Sequence, residues 1–167
     1  MALAHGVYLH HWYTENMQTI TPNLWFDSEA AEAAEFYTSI FPNSKIIDTS
    51  YYMTDTPSDK PKGSVLTVAF ELNGQPFLAL NGGPMYKFNE AISFTITCKD
   101  QEEIDHYWQS LSEIPEAERC GWLKDKYGVS WQVIPANMGE LITSEAAMKA
   151  MLQMKKIIIA DLEAAVS

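Results

Sequence analysis

Hydrophobic and polar positions change period several times along the chain, and each change marks an element. Gln18–Phe26 is rich in β-formers and runs into the turn-prone pair Asp27-Ser28. Ala30, Ala33, Ala34, Phe36, Tyr37, Ile40 and Phe41 then recur at helical spacing. Ser28–Phe41 is therefore expected to be an amphipathic helix, with Ser28 as its cap and Glu29 and Glu32 near its start. Pro42-Asn43 ends it. Lys45–Met53 reads as a strand, and Asp55–Lys62, with two prolines and four charges, reads as a solvated loop. Val65, Thr67, Ala69 and Glu71 alternate with Leu66, Val68, Phe70 and Leu72. Asn73-Gly74 is a type I′ hairpin signal, and Gln75–Leu80 is the returning strand.

The pattern then restarts. After a loop opening at Asn81-Gly82-Gly83-Pro84, Ala91–Cys98 reads as a strand. Asp100 caps a second helix carrying Ile104, Tyr107, Trp108 and Leu111. Cys120–Lys124 and Val129–Ile134 read as strands, while the stretch between Ile114 and Arg119 is too acidic and Pro-interrupted to supply a clear second strand. The expected fold class is α+β: paired βαβββ modules, at about 17–81 and 91–135, forming one cupped mixed sheet. A C-terminal helical tail is expected over about 139–167. Its Met148, Met151, Leu152, Met154, Ile157, Ile158 and Ile159 suit packing on the body or on a second chain.

The chain has 167 residues, enough for one ordinary domain without a metal or disulfide staple. Residues 1–16 look unlike the rest and hold His5, His10 and His11. We read them as a leader or vector-derived extension; the histidine spacing fits no standard metal motif. The formal net charge of −11 argues against nucleic acid and against an anionic membrane surface, and favours cationic ligands. The absence of a basic n-region and of a spanning apolar run points to a cytoplasmic protein. Cys98 and Cys120 make no disulfide framework.

Several motifs, in order, carry a resemblance. They are Ile20-Thr21-Pro22-Asn23-Leu24-Trp25-Phe26-Asp27, Ala34-Glu35-Phe36-Tyr37, Phe70-Glu71-Leu72-Asn73-Gly74-Gln75-Pro76-Phe77, Ala79-Leu80-Asn81-Gly82-Gly83-Pro84, and the run from Cys120 to Pro135. The tail's Met151-Leu152-Gln153-Met154-Lys155-Lys156-Ile157 continues it. From Met17 to about Ala164 the chain resembles the PhnB-like branch of the vicinal oxygen chelate superfamily, which includes glyoxalases, bleomycin-resistance proteins and ring-cleaving dioxygenases. That branch often carries the label of a 3-demethylubiquinone-9 3-methyltransferase domain. The Gly82-Gly83 pair is followed by Pro84 and a polar loop, not by the helix that a nucleotide-like methyl donor usually needs.

In metal-dependent members of the superfamily, His and Glu on inward-facing strand ends hold a divalent ion. The resemblance places those positions near Thr21–Asn23, Ala79–Asn81, Ser93 and Gln132, where neither His nor carboxylate stands. No cofactor is therefore expected, although a divalent metal held by other residues is not excluded. Asn81, Ser93 and Gln132 would form the polar floor of a pocket, with Trp25, Phe70 and Trp122 as aromatic walls. Trp131 is a further aromatic candidate, but it and Gln132 point to opposite faces of a strand. The competing reading makes these aromatics ordinary core and Gln132 a partner for buried backbone. Cys120 beside Arg119, and His106 beside Asp105, are weaker candidates for chemistry. Asp27 and Asp125 read as turn or cap residues.

Two functions follow from the resemblance. One is a metal-free binding protein for an unknown small molecule. The other is a metal-dependent isomerase, lyase or dioxygenase acting on a small oxygenated substrate. Members commonly complete their cups across subunits, which implies a C2 homodimer.

Overall fold

The computed structural model describes residues 20–166, so the expected leader and the first residues of the opening strand pattern lie outside the described residues. The fold is α+β and falls into two compact units, one up to Tyr86 and one from Lys87.

In the first unit, β1 (Asn23–Phe26), β2 (Lys45–Tyr51), β3 (Val65–Leu72) and β4 (Gln75–Asn81) form a four-stranded sheet in the order β1-β4-β3-β2. Helix α1 (Ala30–Ile40) connects β1 to β2. β1 runs parallel to β4, and the other neighbours are antiparallel. The β3–β4 hairpin turns at Asn73 and Gly74 with φ of 47° and 82°, both positive as a type I′ turn requires. Alternation sorts the side chains. Leu24, Phe26, Val68, Phe70, Leu72, Phe77 and Ala79 are buried. Tyr37 of α1 stacks on Phe70 at a centroid distance of 6.3 Å, so this face packs on the helix. Trp25, Leu80 and Thr67 lie side by side on the opposite face.

The start of α1 departs from the sequence expectation. The helix begins at Ala30, the N-cap position is Glu29, and no side chain on it caps the turn. Ser28 instead donates its own N–H to Glu29 Oε2 at 2.8 Å. The cap comes from the far end of β4, where Asn81 Oδ1 accepts the Ala30 N–H at 2.8 Å. Asn81 Nδ2 donates to the Val65 carbonyl at 3.1 Å, and the Asn81 carbonyl accepts the Tyr52 hydroxyl. One buried amide thus ties β4 to the helix and to β3, satisfying a helix-end donor that would otherwise be stranded.

The second unit repeats the scheme in shorter form. β5 (Phe94–Cys98), β6 (Trp122–Lys124) and β7 (Ser130–Pro135) form a three-stranded sheet in the order β5-β7-β6. Helix α2 (Gln101–Leu111) is capped by Asp100, which accepts the Glu103 N–H at 2.9 Å. Where a second strand would fall, Pro115–Ala117 makes a 3-10 turn. β5 starts later than expected, at Phe94, leaving Ile92 74% exposed before it. β6 starts at Trp122 because Cys120 and Gly121 sit at φ of 50° and 86°, which no extended strand accommodates.

The tail is not one helix but α3 (Met138–Leu141), α4 (Glu145–Gln153) and α5 (Ile159–Val166). The break has a visible cause. The carbonyls of Met154 and Lys155 accept the N–H groups of Cys120 and Gly121, each at 2.8 Å, and so are drawn away from helical pairing. Gln101 at the start of α2 holds the next residues, donating to the Ile157 carbonyl at 3.1 Å and accepting the Ile159 N–H at 2.9 Å. Leu141, Ile157 and Leu162 form a buried cluster that takes up the tail's apolar side. A side chain at Gly121 would meet the Val133 carbonyl at 2.9 Å, so the turn accepts only glycine there. Among the described residues no helix is long and apolar enough to cross a membrane.

The capping arrangement predicts unequal costs. Asn81→Ala removes a helix cap and leaves buried donors and acceptors unpaired, which should lower unfolding free energy by about 2 kcal/mol or more. Ser28→Ala, at the expected cap, should cost less than ~0.5 kcal/mol. Urea melts of the two variants check this, and a larger loss at Ser28 would contradict it.

Candidate functional site

The second sheet brings Ser93, Trp122 and Gln132 together. Trp122 and Gln132 are cross-strand partners, and Thr95 is the partner of Gln132 on its other side. The three form one row on a single face of the sheet. Gln132 Nε2 donates to Ser93 Oγ at 2.9 Å. That face is turned away from α2, because Ile96, Cys98, Trp131 and Val133 are buried on the other one.

One step along the strands, Lys124 is the partner of Ser130. Both follow the alternation of Trp122 and Gln132, so they extend the same face. The Lys124 ammonium pairs with the Glu90 carboxylate; the lysine side chain is only 18% exposed, that of Glu90 63%. The hydrogen bond from Lys124, with its charge, holds the Glu90 carboxyl below the usual carboxylate range. Ser130 is 2% exposed, and its hydroxyl has no hydrogen-bond partner among the described residues. Lys124, Ser130 and Glu90 were not expected as site residues. The parity of Lys124 with Trp122 and of Ser130 with Gln132 is the signal that could have found them.

Trp131 occupies the opposite face, as alternation requires. Its indole N–H donates to Asp125 Oδ2 at 2.8 Å. Asp125 is fully buried, and its Oδ1 accepts the N–H groups of Tyr127 and Val129 at 2.9 and 3.0 Å. This carboxylate organises the β6–β7 turn and anchors a core tryptophan, which agrees with its reading as a turn residue. Asp27 instead accepts from Lys60 Nζ at 2.8 Å, fixing the loop between β2 and β3 to the end of β1.

The remaining expected wall and floor residues lie in the first unit and differ in character. Phe70 is fully buried, stacked between Tyr37 and Phe77, and belongs to the core beneath α1. Asn81 has both ends of its amide engaged by backbone groups, so it serves the helix cap. Trp25 is half-buried on the face away from α1, edge-on to Tyr86 at 5.0 Å, with its N–H donated to the Gly83 carbonyl at 2.8 Å. Any side chain at Gly82 would collide with the Trp25 ring at 2.2 Å. The glycine pair is therefore a seat for an indole.

The other candidates separate clearly. Cys98 is fully buried against the α2 side, and burial, reinforced by Glu103 and Asp100, pushes its thiol up to about 12. Cys120 is half-buried in the turn that holds the tail. His106 is exposed on α2, edge-on to Tyr107 at 5.0 Å.

The donors on the second sheet's polar face do not fit a divalent transition metal. Hydroxyls and an amide meet there, and the nearby carboxylate is bound to a lysine ammonium. Among the described residues no group of three or more His, Cys, Asp or Glu is placed to hold an ion.

A parallel strand pair flanking a helix, extended by antiparallel neighbours and repeated in shortened form, defines a protein built from paired βαβββ-type modules. The profile of the 3-demethylubiquinone-9 3-methyltransferase family matches residues 18–134. The chain belongs to that family, the PhnB-like branch of the vicinal oxygen chelate superfamily. A PhnB protein from Bacillus cereus, described as a 3-demethylubiquinone-9 3-methyltransferase, is 37% identical; the match covers 71% of this chain and 100% of that one, with a TM-score of 0.59. Protein PA1353 from Pseudomonas aeruginosa shares the fold at 16% identity, over 71% of this chain and 98% of its own, with a TM-score of 0.51. The fosfomycin resistance protein FosX from Listeria monocytogenes is 14% identical over 75% of this chain and 98% of its own, at a TM-score of 0.47. No match is found among curated proteins.

The thiol environments give a direct expectation. A group pushed up to about 12 stays protonated until the pH approaches that value. Iodoacetamide at about pH 8 should therefore leave Cys98 unmodified in the native protein and label it only after unfolding. Peptide mass spectrometry reads the positions, and labelling of native Cys98 would contradict the burial argument.

Proposed function

We propose that the protein binds a small molecule on the polar face of its second sheet, without a resident transition metal. The observation that carries this reading is the Gln132–Ser93 hydrogen bond beside Trp122; the family resemblance implies that these two positions correspond to ligand positions of metal-dependent members. An uncharged amide and hydroxyl can orient a ligand, and an indole beside them supplies apolar area, the usual composition of a small-molecule site. Trp25 lies in the other unit, where its ring is seated on Gly82, and is not part of this site. Phe70 and Asn81 are left out, because core stacking and helix capping account for them. Methyl transfer, which the family's name describes, draws no support from Gly82-Gly83, since that pair is occupied in seating Trp25.

Elemental mass spectrometry tests the metal-free part of this reading. The chain with His5, His10 and His11 replaced by alanine would be incubated with Ni²⁺, Zn²⁺, Mn²⁺ and Fe²⁺, then desalted. The reading expects less than about 0.1 ion per chain in every case, because amides and hydroxyls are weak ligands for these ions. About one retained ion per chain would overturn it and favour metal-dependent isomerase, lyase or dioxygenase chemistry.

A further inference from the structure

Two features of the second sheet's polar face are unexplained by the fold alone. The Ser130 hydroxyl is buried with no partner among the described residues, a situation that native structures rarely leave unresolved. Beside it, a lysine with most of its side chain buried carries its ammonium on the same face. The lysine's counterion, Glu90, comes from the exposed segment ahead of β5 and is itself largely in solvent.

We propose that the ligand is a planar aromatic carboxylate whose oxygens accept from the Ser130 hydroxyl and the Lys124 ammonium, displacing Glu90, while its ring packs on Trp122. The proposal rests on the binding site described above and names its ligand class. Exchange of one carboxylate for another keeps the lysine paired throughout, so the ligand need not neutralise a bare buried charge. Trp122 and Lys124 lie two residues apart on the same face of β6, which places an aromatic surface next to the cation. The net charge of −11 would repel a free anion, so a partly buried lysine with a displaceable partner is the local feature that reverses that preference. Overall charge alone favours cationic ligands, and in this proposal the local lysine outweighs it.

Isothermal titration of the full chain with benzoate, phenylacetate and 1-naphthoate, each against the primary alcohol of the same skeleton, tests the proposal. At least one acid should bind about tenfold or more tighter than its alcohol, in keeping with a charge-assisted contact. Lys124→Met should abolish that preference, and Glu90→Gln should strengthen acid binding. Ser130→Ala should weaken acid binding without lowering Tm, since no hydrogen bond is lost from the free protein. Should Lys124→Met fail to fold, the Glu90 and Ser130 variants decide the matter by the same signs. Equal binding of acids and alcohols, with Trp122→Ala weakening both, would overturn the carboxylate site and leave the binding-protein reading standing. Failure of every acid and alcohol to bind would likewise overturn the aromatic carboxylate site, while the binding-protein reading is judged separately by the metal measurement.

Discussion

A strand's side chains point alternately to its two sides, and here that period of two decides what each residue is free to do. In both sheets one face is filled by a helix. Phe70 packs under Tyr37 in the first, and Cys98 is buried on the α2 side of the second. Residues of opposite parity point away from the helix-covered face. On the second sheet this presents Trp122, Lys124, Ser130, Gln132 and Thr95 as one polar and aromatic field, while Trp131, next in sequence to two of them, is locked to Asp125. A one-residue change of register would exchange these two sets entirely.

Two buried polar side chains stabilise that arrangement by opposite routes. Asn81 reaches across sequence, capping a helix that starts 51 positions earlier. Asp125 acts locally, gathering two backbone N–H groups and one indole N–H around a single turn. Both are buried and engaged with the fold's own backbone or core, which explains their presence without a ligand. Ser130 is the contrast: equally buried, on the face away from α2, and without a partner among the described residues. The distinction between a polar group that holds the fold and one that is available rests on this accounting of donors and acceptors.

The element order, the type I′ hairpin at Asn73-Gly74, the Asp100 cap and the weak second strand of the second half were all legible in the sequence, because each is set by neighbours a few residues apart. The opposition of Trp131 and Gln132 was legible for the same reason. The long-range pairings were not. Ser28 has the chemistry of a cap, and only the parallel pairing of β1 with β4 brings Asn81 to the helix start instead. Alternation placed Phe70 and Glu71 on opposite faces but could not say which face α1 would cover. The tail's apolar residues suggested one helix, and nothing local announced that the turn at Cys120-Gly121 would take the carbonyls of Met154 and Lys155.

The central claim is that ligands meet the second sheet on the face that carries Trp122 and not on the one that carries Trp131. The indole N–H resonances of the two tryptophans report on the two faces separately in a ¹H–¹⁵N NMR spectrum. During a titration with 1-naphthoate, the account predicts that the Trp122 indole signal moves progressively while that of Trp131, bonded to Asp125, stays in place. Movement of the Trp131 signal with Trp122 unchanged would contradict it.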